Sequence, residues 1–387
     1  MSKLEKLIQQ YCPDGVEYVR LGDVTQVCRG TRVVRSQLTE VGYPVYQNCL
    51  TPMGCFEDTN CPKGTTFVIC GGAAGNVGYT DVDCWAADDC EYIECSHTIL
   101  NRYVYYCLMS KQHYLLSKVR KASIPRLSPN VIKDLEIPVP PLPVQEEIVR
   151  VLDAFTELQA ELQAELQKRK QQYNYYRDNL LSFEGRTDVQ WKKLGKIASI
   201  TTGRRFVRTD IRESGVPCFH YGDIYTYYGL TATKTKGYLD EELAKKLRFA
   251  QPNDVVVVCA GENDMDIGVG VAWLGDEPAV VHDACCILHH NQSSRYISHF
   301  LRTHNYHLQM KKYVKNGKIS SLPASGLAEA LIPLPSLEEQ ERIASILDRF
   351  DTLTNDLTSG LPAEMEKRRQ QYEFYRDKLL TFKRKEA

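Results

Sequence analysis

An internal repeat constrains the fold of this 387-residue chain more than any other feature of its sequence. Leu21-Gly22 recurs 173 residues later as Leu194-Gly195. The match is clearest between KRKQQYNYYRDNLLSF at residues 168–183 and KRRQQYEFYRDKLLTF at residues 367–382, where eleven of sixteen positions are identical at an offset of 199. The offset grows from 173 to 199 along the chain, which indicates insertions in the loops of the second copy. The chain therefore contains two tandem copies of one sequence module.

Each copy begins with a globular part and continues into a stiff proline-rich segment. Short β-branched runs, such as Thr66 to Cys70 and Val255 to Cys259, predict strands joined by irregular loops. The proline-rich segments lie at Ile137 to Pro143 and at Leu331 to Pro335. Because proline restrains the preceding residue to extended structure, we expect a boundary at each of these segments.

A long helix is predicted after each proline-rich segment. Glycine and proline are absent from Val144 to Phe183, where apolar residues follow a 3-4 spacing. About 40 residues at about 1.5 Å each predict a rod of about 60 Å. The second helix is interrupted at Ser359-Gly360-Leu361-Pro362, where Gly360 suits a left-handed residue after a helix end and Pro362 suits the first turn of a new helix. We therefore expect the second rod to be kinked or divided.

The two apolar stripes are too long to be buried on one small domain, but they can be buried against each other. The sequence thus predicts an α+β fold, in which two tandem-repeat globular domains are separated by two long helices that pair as an antiparallel coiled coil. The expected segments are a first globular domain at residues 1–140, a central helical region at 141–184, a second globular domain at 185–335 and a C-terminal helical region at 336–387.

The charge distribution favours the second globular domain as the partner of a polyanion. Residues 1–140 contain 14 Lys and Arg against 15 Asp and Glu, whereas residues 185–335 contain 19 against 15. Seven of the nine histidines also lie in residues 185–335. The net charge of −1 argues against a uniformly basic coat.

The fourteen cysteines show no C-x2-C spacing, so we expect reduced, structural thiols and no metal site. Cys70 and Cys259 lie in apolar runs, where a thiol acts as a small hydrophobic group. The N-terminus lacks an export signal and no apolar run approaches eighteen residues. These features predict a cytoplasmic protein that does not enter a membrane.

Distinct motifs lie at the beginning of the chain and at both ends of the helices. They are Cys12-Pro-Asp-Gly-Val-Glu-Tyr18, the junctions at Pro141 to Ile148 and Pro335 to Ile343, Leu-Asp-x-Phe at Leu152 and Leu347, and both QQYxxYRDxLL tails. In this order and over the whole chain, they resemble the specificity subunits of type I restriction-modification systems. The globular parts match that family more weakly.

The resemblance implies two target-recognition domains that read the two halves of a split, asymmetric site in double-stranded DNA. It also implies that the paired helices set the spacing between the half-sites and dock two DNA methyltransferase subunits. Restriction and translocase subunits would join the complex outside these. In this interpretation the chain is a recognition subunit with no catalytic centre, no metal and no cofactor of its own.

The sequence contains no catalytic motif that we recognise. It lacks Asn/Asp-Pro-Pro-aromatic, GxxxxGK[ST], HExxH and GxSxG motifs. The glycine-rich segment Gly71 to Gly78 does not fit a dinucleotide site, which leaves a structural turn or a loop that lets DNA approach the backbone. Two alternatives to a recognition subunit stay open: an unrecognised, tandem-duplicated DNA-modifying enzyme and a coiled-coil adaptor.

Candidate DNA contacts are loop residues whose side chains match base edges or phosphates. A solvated surface charge is the alternative for each residue taken singly. In the first domain the candidates are Arg29, Arg32, Gln47, Asn48, Lys118, Arg120 and Lys121. In the second domain they are Arg204, Arg205, His220, Tyr221, Lys234, Lys236, Lys311, Lys312, Lys315 and Lys318.

The repeated tails supply the candidates for partner docking. Their basic residues could instead touch phosphate, and their tyrosines could pack within the chain, but retention in both copies favours docking. The candidates are Lys168, Arg169, Tyr173, Tyr176, Arg177, Lys367, Arg368, Tyr372, Tyr375 and Arg376.

Overall fold

The computed structural model describes residues 2–261, 267–315, 317, 319–356 and 359–385, without the side chain of Tyr225. The chain forms two compact units. Unit 1 consists of Met1–Glu161 and Glu366–Ala387, and unit 2 consists of Leu162–Met365. Each unit combines one globular domain with segments of both helical regions. The four linear segments expected from the sequence stay a prediction.

The first copy contains short strands and helices that lead into one long helix. In chain order these elements are α1 Lys3–Tyr11, β1 Tyr18–Arg20, α2 Leu21–Val24, β2 Thr25–Arg29, β3 Tyr43–Tyr46, β4 Cys55–Phe56, β5 Thr65–Ile69, β6 Val77–Thr80, β7 Trp85–Ala86, β8 Cys90–Cys95, α3 Asn101–Ser110, α4 Gln112–Ser117, α5 Pro129–Lys133, β9 Glu136–Pro138 and α6 Leu142–Leu180.

The second copy repeats this order with additional elements. They are β10 Gln190–Lys193, α7 Leu194–Ile197, β11 Ala198–Thr202, β12 Val216–Phe219, α8 Tyr221–Thr226, β13 Thr231–Ala232, β14 Gly237–Leu239, α9 Glu241–Ala244, β15 Phe249–Ala250, β16 Val255–Val258, β17 Ala260–Gly261, β18 Gly270–Trp273, β19 Ala279–Val281, β20 Cys285–His290, α10 Ser294–Phe300, α11 His304–Met310, β21 Ser320–Ser321, α12 Ala324–Leu327, β22 Leu331–Leu334, α13 Leu337–Asn355 and α14 Leu361–Leu379.

The sheets of the two globular domains have equivalent topology. In unit 1 the strand orders are β2-β8-β5-β6 and β4-β3-β7, and in unit 2 they are β11-β20-β16-β18-β13 and β14-β12-β19-β15. In both units an antiparallel pair, β1 with β9 or β10 with β22, joins the beginning of the domain to the proline-rich segment. The predicted duplication and the α+β fold are therefore confirmed at the level of strand pairing.

The predicted strands lie at the centres of these sheets. The four valines of β16 are all buried, and this strand pairs with β18 on one side and with β20 on the other. A continuous apolar run is expected of a strand whose two faces are both covered. Strand β5 occupies the equivalent place between β6 and β8. Cys70 and Cys259, which follow these strands, are buried as expected.

The helices differ between the copies as predicted. Helix α6 runs unbroken for 39 residues, whereas the second helical region divides into α13 and α14, with Pro362 in the first turn of α14. The expected left-handed conformation of Gly360 is wrong, because this residue has no positive φ angle. A Cβ atom at Gly360 would instead lie closer than 3.0 Å to the carbonyl oxygen of Thr352, so close packing explains the glycine.

The core of each unit includes the tail that belongs, in sequence, to the other copy. Tyr372 and Leu380 are buried in the core of unit 1, and the hydroxyl of Tyr18 donates to the carbonyl of Phe382 over 3.1 Å. Tyr173 and Leu181 are buried in the core of unit 2. Each globular domain therefore needs apolar side chains that its own copy does not supply.

One carboxylate in each unit ties the globular domain to the helix that follows it. In unit 1, Asp153 on α6 accepts hydrogen bonds from Arg102 over 2.7 Å and from the Tyr106 hydroxyl. In unit 2, Asp348 on α13 accepts from Arg295 over 2.6 Å, and its other oxygen lies 2.9 Å from Nε2 of His299. These two acids form equivalent joints, which we call the domain–helix joints.

His299 of the second joint is fully buried between two partners. Its Nδ1 lies 3.2 Å from the hydroxyl of Tyr173, and its Nε2 faces Asp348. A neutral ring satisfies both contacts when Nδ1 accepts from the tyrosine and Nε2–H donates to the carboxylate. Burial lowers the pKa of His299, and the contact with Asp348 only partly opposes this effect.

A glycine follows β2 in unit 1, and another follows β11 at the equivalent position of unit 2. The amide of Gly30 donates to the carbonyl of Cys90, and that of Gly203 donates to the carbonyl of Cys285, each over 2.9 Å. A Cβ atom at either glycine would lie closer than 3.0 Å to backbone oxygens of the neighbouring segment. Only glycine allows the two backbones to approach this closely.

We predict that His299→Tyr, which copies Tyr106 of unit 1, reduces the acid sensitivity of the fold. The unfolded chain protonates this histidine below about pH 6.5, whereas burial disfavours protonation in the folded chain. The stability contributed by neutral His299 is therefore complete above about pH 6.5 and decreases as the pH falls below it. Thermal unfolding at pH 8 and pH 5.5 measures this effect, with the exposed His97→Gln as control. Equal losses of Tm in the wild type and in His299→Tyr would contradict the prediction.

We also predict that Gly203→Ala lowers the free energy of unfolding by about 1 to 3 kcal/mol, because the new methyl group must displace backbone. Gly229→Ala is a matched control in the same unit, since nothing lies within 4 Å of its added Cβ. The control should change the free energy of unfolding by less than about 0.5 kcal/mol. Urea unfolding midpoints measure both, and similar effects of the two substitutions would refute the close-packing explanation.

Candidate nucleic-acid interface

A cavity of about 420 Å³ lies in unit 1 where β2 and β5 end and β8 begins. Three of the predicted DNA contacts, Arg29, Lys118 and Arg120, meet there. Arg126 joins them and was not among the candidates. The remaining lining residues are Cys70, Asp88, Asp89, Glu91, Leu127, Ser128 and Pro129.

Acidic residues and backbone groups orient the basic side chains of this first cavity. Arg126 donates from Nη1 to Oδ1 of Asp89 over 3.0 Å, while about half of its side chain stays exposed (49%). The backbones of Arg120 and Arg126 exchange hydrogen bonds of 2.9 and 3.1 Å. Arg29 donates from Nε to the carbonyl of Asp88 over 3.3 Å. Contacts within the protein therefore orient the side chains of Arg29 and Arg126 at this cavity.

The thiol of Cys70 cannot act as a nucleophile in this cavity. Burial, followed by the charges of Glu91 and Asp89, raises the pKa of Cys70 to about 12. Burial also raises the pKa of Glu91. Because the thiolate is the reactive form of cysteine, a raised pKa suits Cys70 to packing.

The other candidates in unit 1 do not line the cavity. Gln47 donates from Nε2 to Oδ1 of Asp88 over 3.4 Å, so it reaches a lining residue. Arg32, Asn48 and Lys121 are exposed. The carbonyl of Asn48 accepts from the amide of Ala73 over 2.8 Å.

The glycine-rich segment that follows β5 is a turn between β5 and β6. A Cβ atom at Gly71 would lie closer than 3.0 Å to the carboxylate of Asp89, and Gly72 adopts a φ of 81°. These glycines are explained by close packing and by backbone conformation. Of the two interpretations left open by the sequence, the geometry favours the structural turn.

A second cavity, of about 340 Å³, lies in unit 2 beside the ends of β12 and β19, and it shares with the first cavity only the equivalent positions Asp88/Asp283 and Asp89/Ala284. It brings together the predicted residues Arg205, His220 and Tyr221. Sequence reasoning missed the other lining residues, although Arg208 corresponds to Arg35 at the repeat offset of 173. These residues are Phe206, Val207, Arg208, Ala260, Gly261, His282, Asp283, Ala284 and Ile319.

Aromatic rings form one wall of this second cavity. The ring centroid of His220 lies 4.6 Å from that of Tyr221 and 4.9 Å from that of His282. Phe206 contacts His282 edge-on at 5.1 Å. Burial lowers the pKa of both His220 and His282, which keeps the two imidazoles neutral near pH 7.

The remaining candidates of unit 2 lie on its surface. Arg204 donates to the carbonyl of Lys246 over 2.8 Å, and Lys236 lies 3.2 Å from the carboxylate of Asp223. Lys234 is exposed, as are three lysines at and after the end of α11. These three are Lys311, Lys312 and Lys315. Lys318 lies outside the described residues.

The predicted docking residues divide into buried and exposed groups. Tyr173 and Tyr372 are buried in the cores of their units, and Arg177 and Arg376 lie over these two rings. Arg169 pairs with Glu165 over 2.6 Å. Lys168 and Lys367 are exposed and Arg368 is half-buried. The buried tyrosines are therefore occupied within the chain.

Two exposed aromatic pairs occupy equivalent positions on the tails. Tyr176 stacks on Phe350 at 5.4 Å, and Tyr375 stacks on Phe155 at 5.7 Å. The preceding residues, Tyr175 and Phe374, were not among the candidates, yet their exposed fractions are 65% and 62%. We call Tyr175–Tyr176 and Phe374–Tyr375 the tail aromatic pairs. Aromatic character at equivalent positions of both tails was the signal that could have identified Tyr175 and Phe374.

Every helix within the described residues is too short or too polar to cross a membrane.

Comparisons with known proteins identify the family of this chain. A family model described as a type I restriction modification DNA specificity domain matches residues 13–169 and again residues 187–367. The EcoR124I/EcoR124II type I restriction enzyme specificity subunit of Escherichia coli is 31% identical over 426 residues, which cover 100% of this chain and 98% of that protein. A putative type I restriction enzyme specificity subunit of Haemophilus influenzae is 30% identical over 323 residues, covering 77% and 76% respectively.

Solved structures share the fold. The S subunit of a type I restriction-modification system from M. genitalium aligns with a TM-score of 0.60 at 16% identity, covering 95% of this chain and 96% of that chain. A chain from a study of complex assembly and conformational transition in the type I R-M system aligns with a TM-score of 0.63 at 16% identity, covering 96% and 98%. The long helix α6 fits the predicted coiled coil.

These matches confirm the predicted fold class and the predicted specificity subunit, and they favour it over a duplicated enzyme or a coiled-coil adaptor. The family model matches both copies in tandem, and the Escherichia coli relative spans the whole chain. The chain belongs to the family of type I restriction-modification specificity subunits.

Proposed function

We propose that the chain is the DNA-reading subunit of a type I restriction-modification complex, in which each cavity contacts one half of a bipartite site in double-stranded DNA. The observation that carries this proposal is one cavity in each domain, formed where strands end, adjoining the equivalent acids Asp88 and Asp283, and combining basic side chains with hydrogen-bonding groups. Two domains of equivalent topology with different lining residues suit two half-sites of different sequence.

The first cavity favours contacts to bases over contacts to phosphates alone. Asp89 holds the guanidinium of Arg126 in one position, and a fixed arginine can donate two hydrogen bonds to guanine O6 and N7. The neighbouring acids would repel phosphates, but a carboxylate can accept from the amino group of cytosine. Lys118 and Arg120 are exposed at the same cavity and suit the DNA backbone.

In the second cavity, contacts to phosphates and contacts to bases fall to different kinds of residue. Arg205 and Arg208 are exposed and suit phosphates or guanine, whereas the neutral ring of His220 suits a base edge. Outside the cavity, Lys311, Lys312 and Lys315 are exposed and add positive charge to unit 2. Such contacts strengthen binding without selecting a base.

The tail aromatic pairs support the proposal that two DNA methyltransferase subunits dock on this chain. Exposed aromatic side chains are enriched in the centres of protein interfaces. Because the pairs lie at equivalent positions of the two tails, they suit two copies of the same partner. Restriction and translocase subunits would join through the methyltransferases, and the complex would act in the cytoplasm.

We predict that exchanging residues 18–136 for the equivalent segment of another family member changes one half of the recognised site only. Recognition resides in the globular domain in this proposal, so the second half-site and the spacer should stay unchanged. Sequencing of DNA methylated by the complex with methyltransferase subunits measures the motif, and the chain without these subunits serves as the inactive control. A change in both half-sites would show that the two domains read DNA jointly.

We also predict that the tail aromatic pairs set the number of bound methyltransferases. Phe374→Ser or Tyr175→Ser should weaken one of two docking sites by about 1 kcal/mol or more, and the double variant should weaken both. Tyr11→Ser is the control, since Tyr11 is also exposed (44%) but lies on α1. Native mass spectrometry of titrations measures the stoichiometry. Full binding of two subunits with unchanged affinity in the double variant would exclude these pairs as the docking sites.

A further inference from the structure

The residue that follows β3 corresponds to the residue that follows β12. These residues are Gln47 and His220, separated by the repeat offset of 173. Both preceding strands pair in parallel with a short strand, in the registers Tyr46 with Ala86 and Phe219 with Val281. The backbones therefore deliver Gln47 and His220 to the same place in the two domains.

Each of these residues is associated with the acid that follows the short partner strand. Gln47 is associated by a hydrogen bond, and His220 by a shared cavity. Gln47 donates to Asp88, which lines the first cavity, and His220 lines the second cavity together with Asp283. Asp88 and Asp283 lie two residues after β7 and β19 respectively. The two sites thus share one backbone plan and differ in the side chain at position 47 or 220.

We propose that Gln47 and His220 each read one base pair of a half-site, and that the difference between an amide and an imidazole at this position helps the two copies to read different sequences. The proposal rests on the proposed function, because it assumes that the cavities contact DNA. It goes further by assigning discrimination to one equivalent residue in each domain.

The amide of Gln47 offers both a donor and an acceptor. One N–H of Nε2 is used by Asp88, which leaves the second N–H and the carbonyl oxygen. A donor beside an acceptor matches N7 and the N6 amino group of adenine in the major groove. The contact with Asp88 restrains the amide, which reduces the ordering cost on binding.

The ring of His220 offers a single donor. Its Nδ1 accepts from the amide of Gly222 over 3.3 Å, which places the proton of the neutral ring on Nε2. Burial lowers the pKa of His220, so the neutral form persists at physiological pH. The rings of Tyr221 and His282 restrict its movement. A lone donor matches an acceptor edge, such as purine N7, guanine O6 or thymine O4.

The contact with Gly222 also gives His220 a structural role, since this bond caps α8. His220→Asn separates the two roles, because the asparagine oxygen can accept from Gly222 while the shorter side chain no longer presents a donor at the position of Nε2. Gln47→His makes the converse change in unit 1, beside Asp88 of the first cavity, and gives unit 1 the imidazole donor of unit 2. Gln47 caps no helix within the described residues, so this variant tests reading without a change in capping.

The test is the motif methylated by the full chain in complex with methyltransferase subunits, determined by sequencing of genomic DNA. We expect His220→Asn to relax one base pair of the second half-site by about tenfold or more, and Gln47→His to change one base pair of the first half-site. The other half-site and the spacer should be unchanged in each case. His304→Gln, an exposed histidine at the beginning of α11, is the control and should leave the motif unchanged.

An unaltered motif in both variants would overturn this inference while the wild-type bipartite motif still supports the proposed function. A wild-type complex without a bipartite motif would instead defeat the proposed function itself. If His220→Asn fails to assemble, Gln47→His decides, and an unaltered first half-site in that variant overturns the inference.

Discussion

Both globular domains depend on the burial of apolar side chains from a tail that belongs, in sequence, to the other copy. Tyr372 and Leu380 complete the core of unit 1, and Tyr173 and Leu181 complete the core of unit 2. Burying one large apolar side chain contributes about 1.5 to 3 kcal/mol, which is a large share of the net stability of a domain. Neither copy can therefore complete its core alone, and duplication within a single chain supplies the missing tail at high local concentration.

The domain–helix joints give this packing a defined geometry. Partial burial of a carboxylate is costly unless hydrogen bonds compensate it, and Asp153 and Asp348 each accept bonds from an arginine and from a second donor. Apolar packing tolerates small sliding movements, whereas these directional bonds do not. The copies have diverged within the joint, because unit 2 has His299, whose pKa is lowered by burial, where unit 1 has a tyrosine.

The same divergence distinguishes the two cavities. Both adjoin the acid that follows β7 or β19, but their other lining residues come from different positions of the repeat and differ in donors, acceptors and aromatic surface. The first cavity balances arginines with acids, so its net charge is small and its specificity must come from short-range hydrogen bonds. The net charge of −1 for the whole chain agrees with selective contacts in place of a basic coat.

The sequence by itself determined the duplication, the unbroken first helix and the break in the second, because these depend on local periodicity, glycine and proline. It also contained Arg29, Lys118 and Arg120 as candidates, but it could not show that they share one cavity. The order of the strands in the sheet brings these residues together, and pairing between distant strands leaves no signal in the local sequence. Sequence reasoning missed Arg126, Arg208 and His282 for this reason. The tail motif marked its aromatic residues, yet only the phase of each helix against its domain buries Tyr173 and Tyr372 and exposes Tyr175 and Phe374. Since successive helical residues differ by about 100° in direction, which tyrosine faces the core depends on a packing partner far away in the sequence.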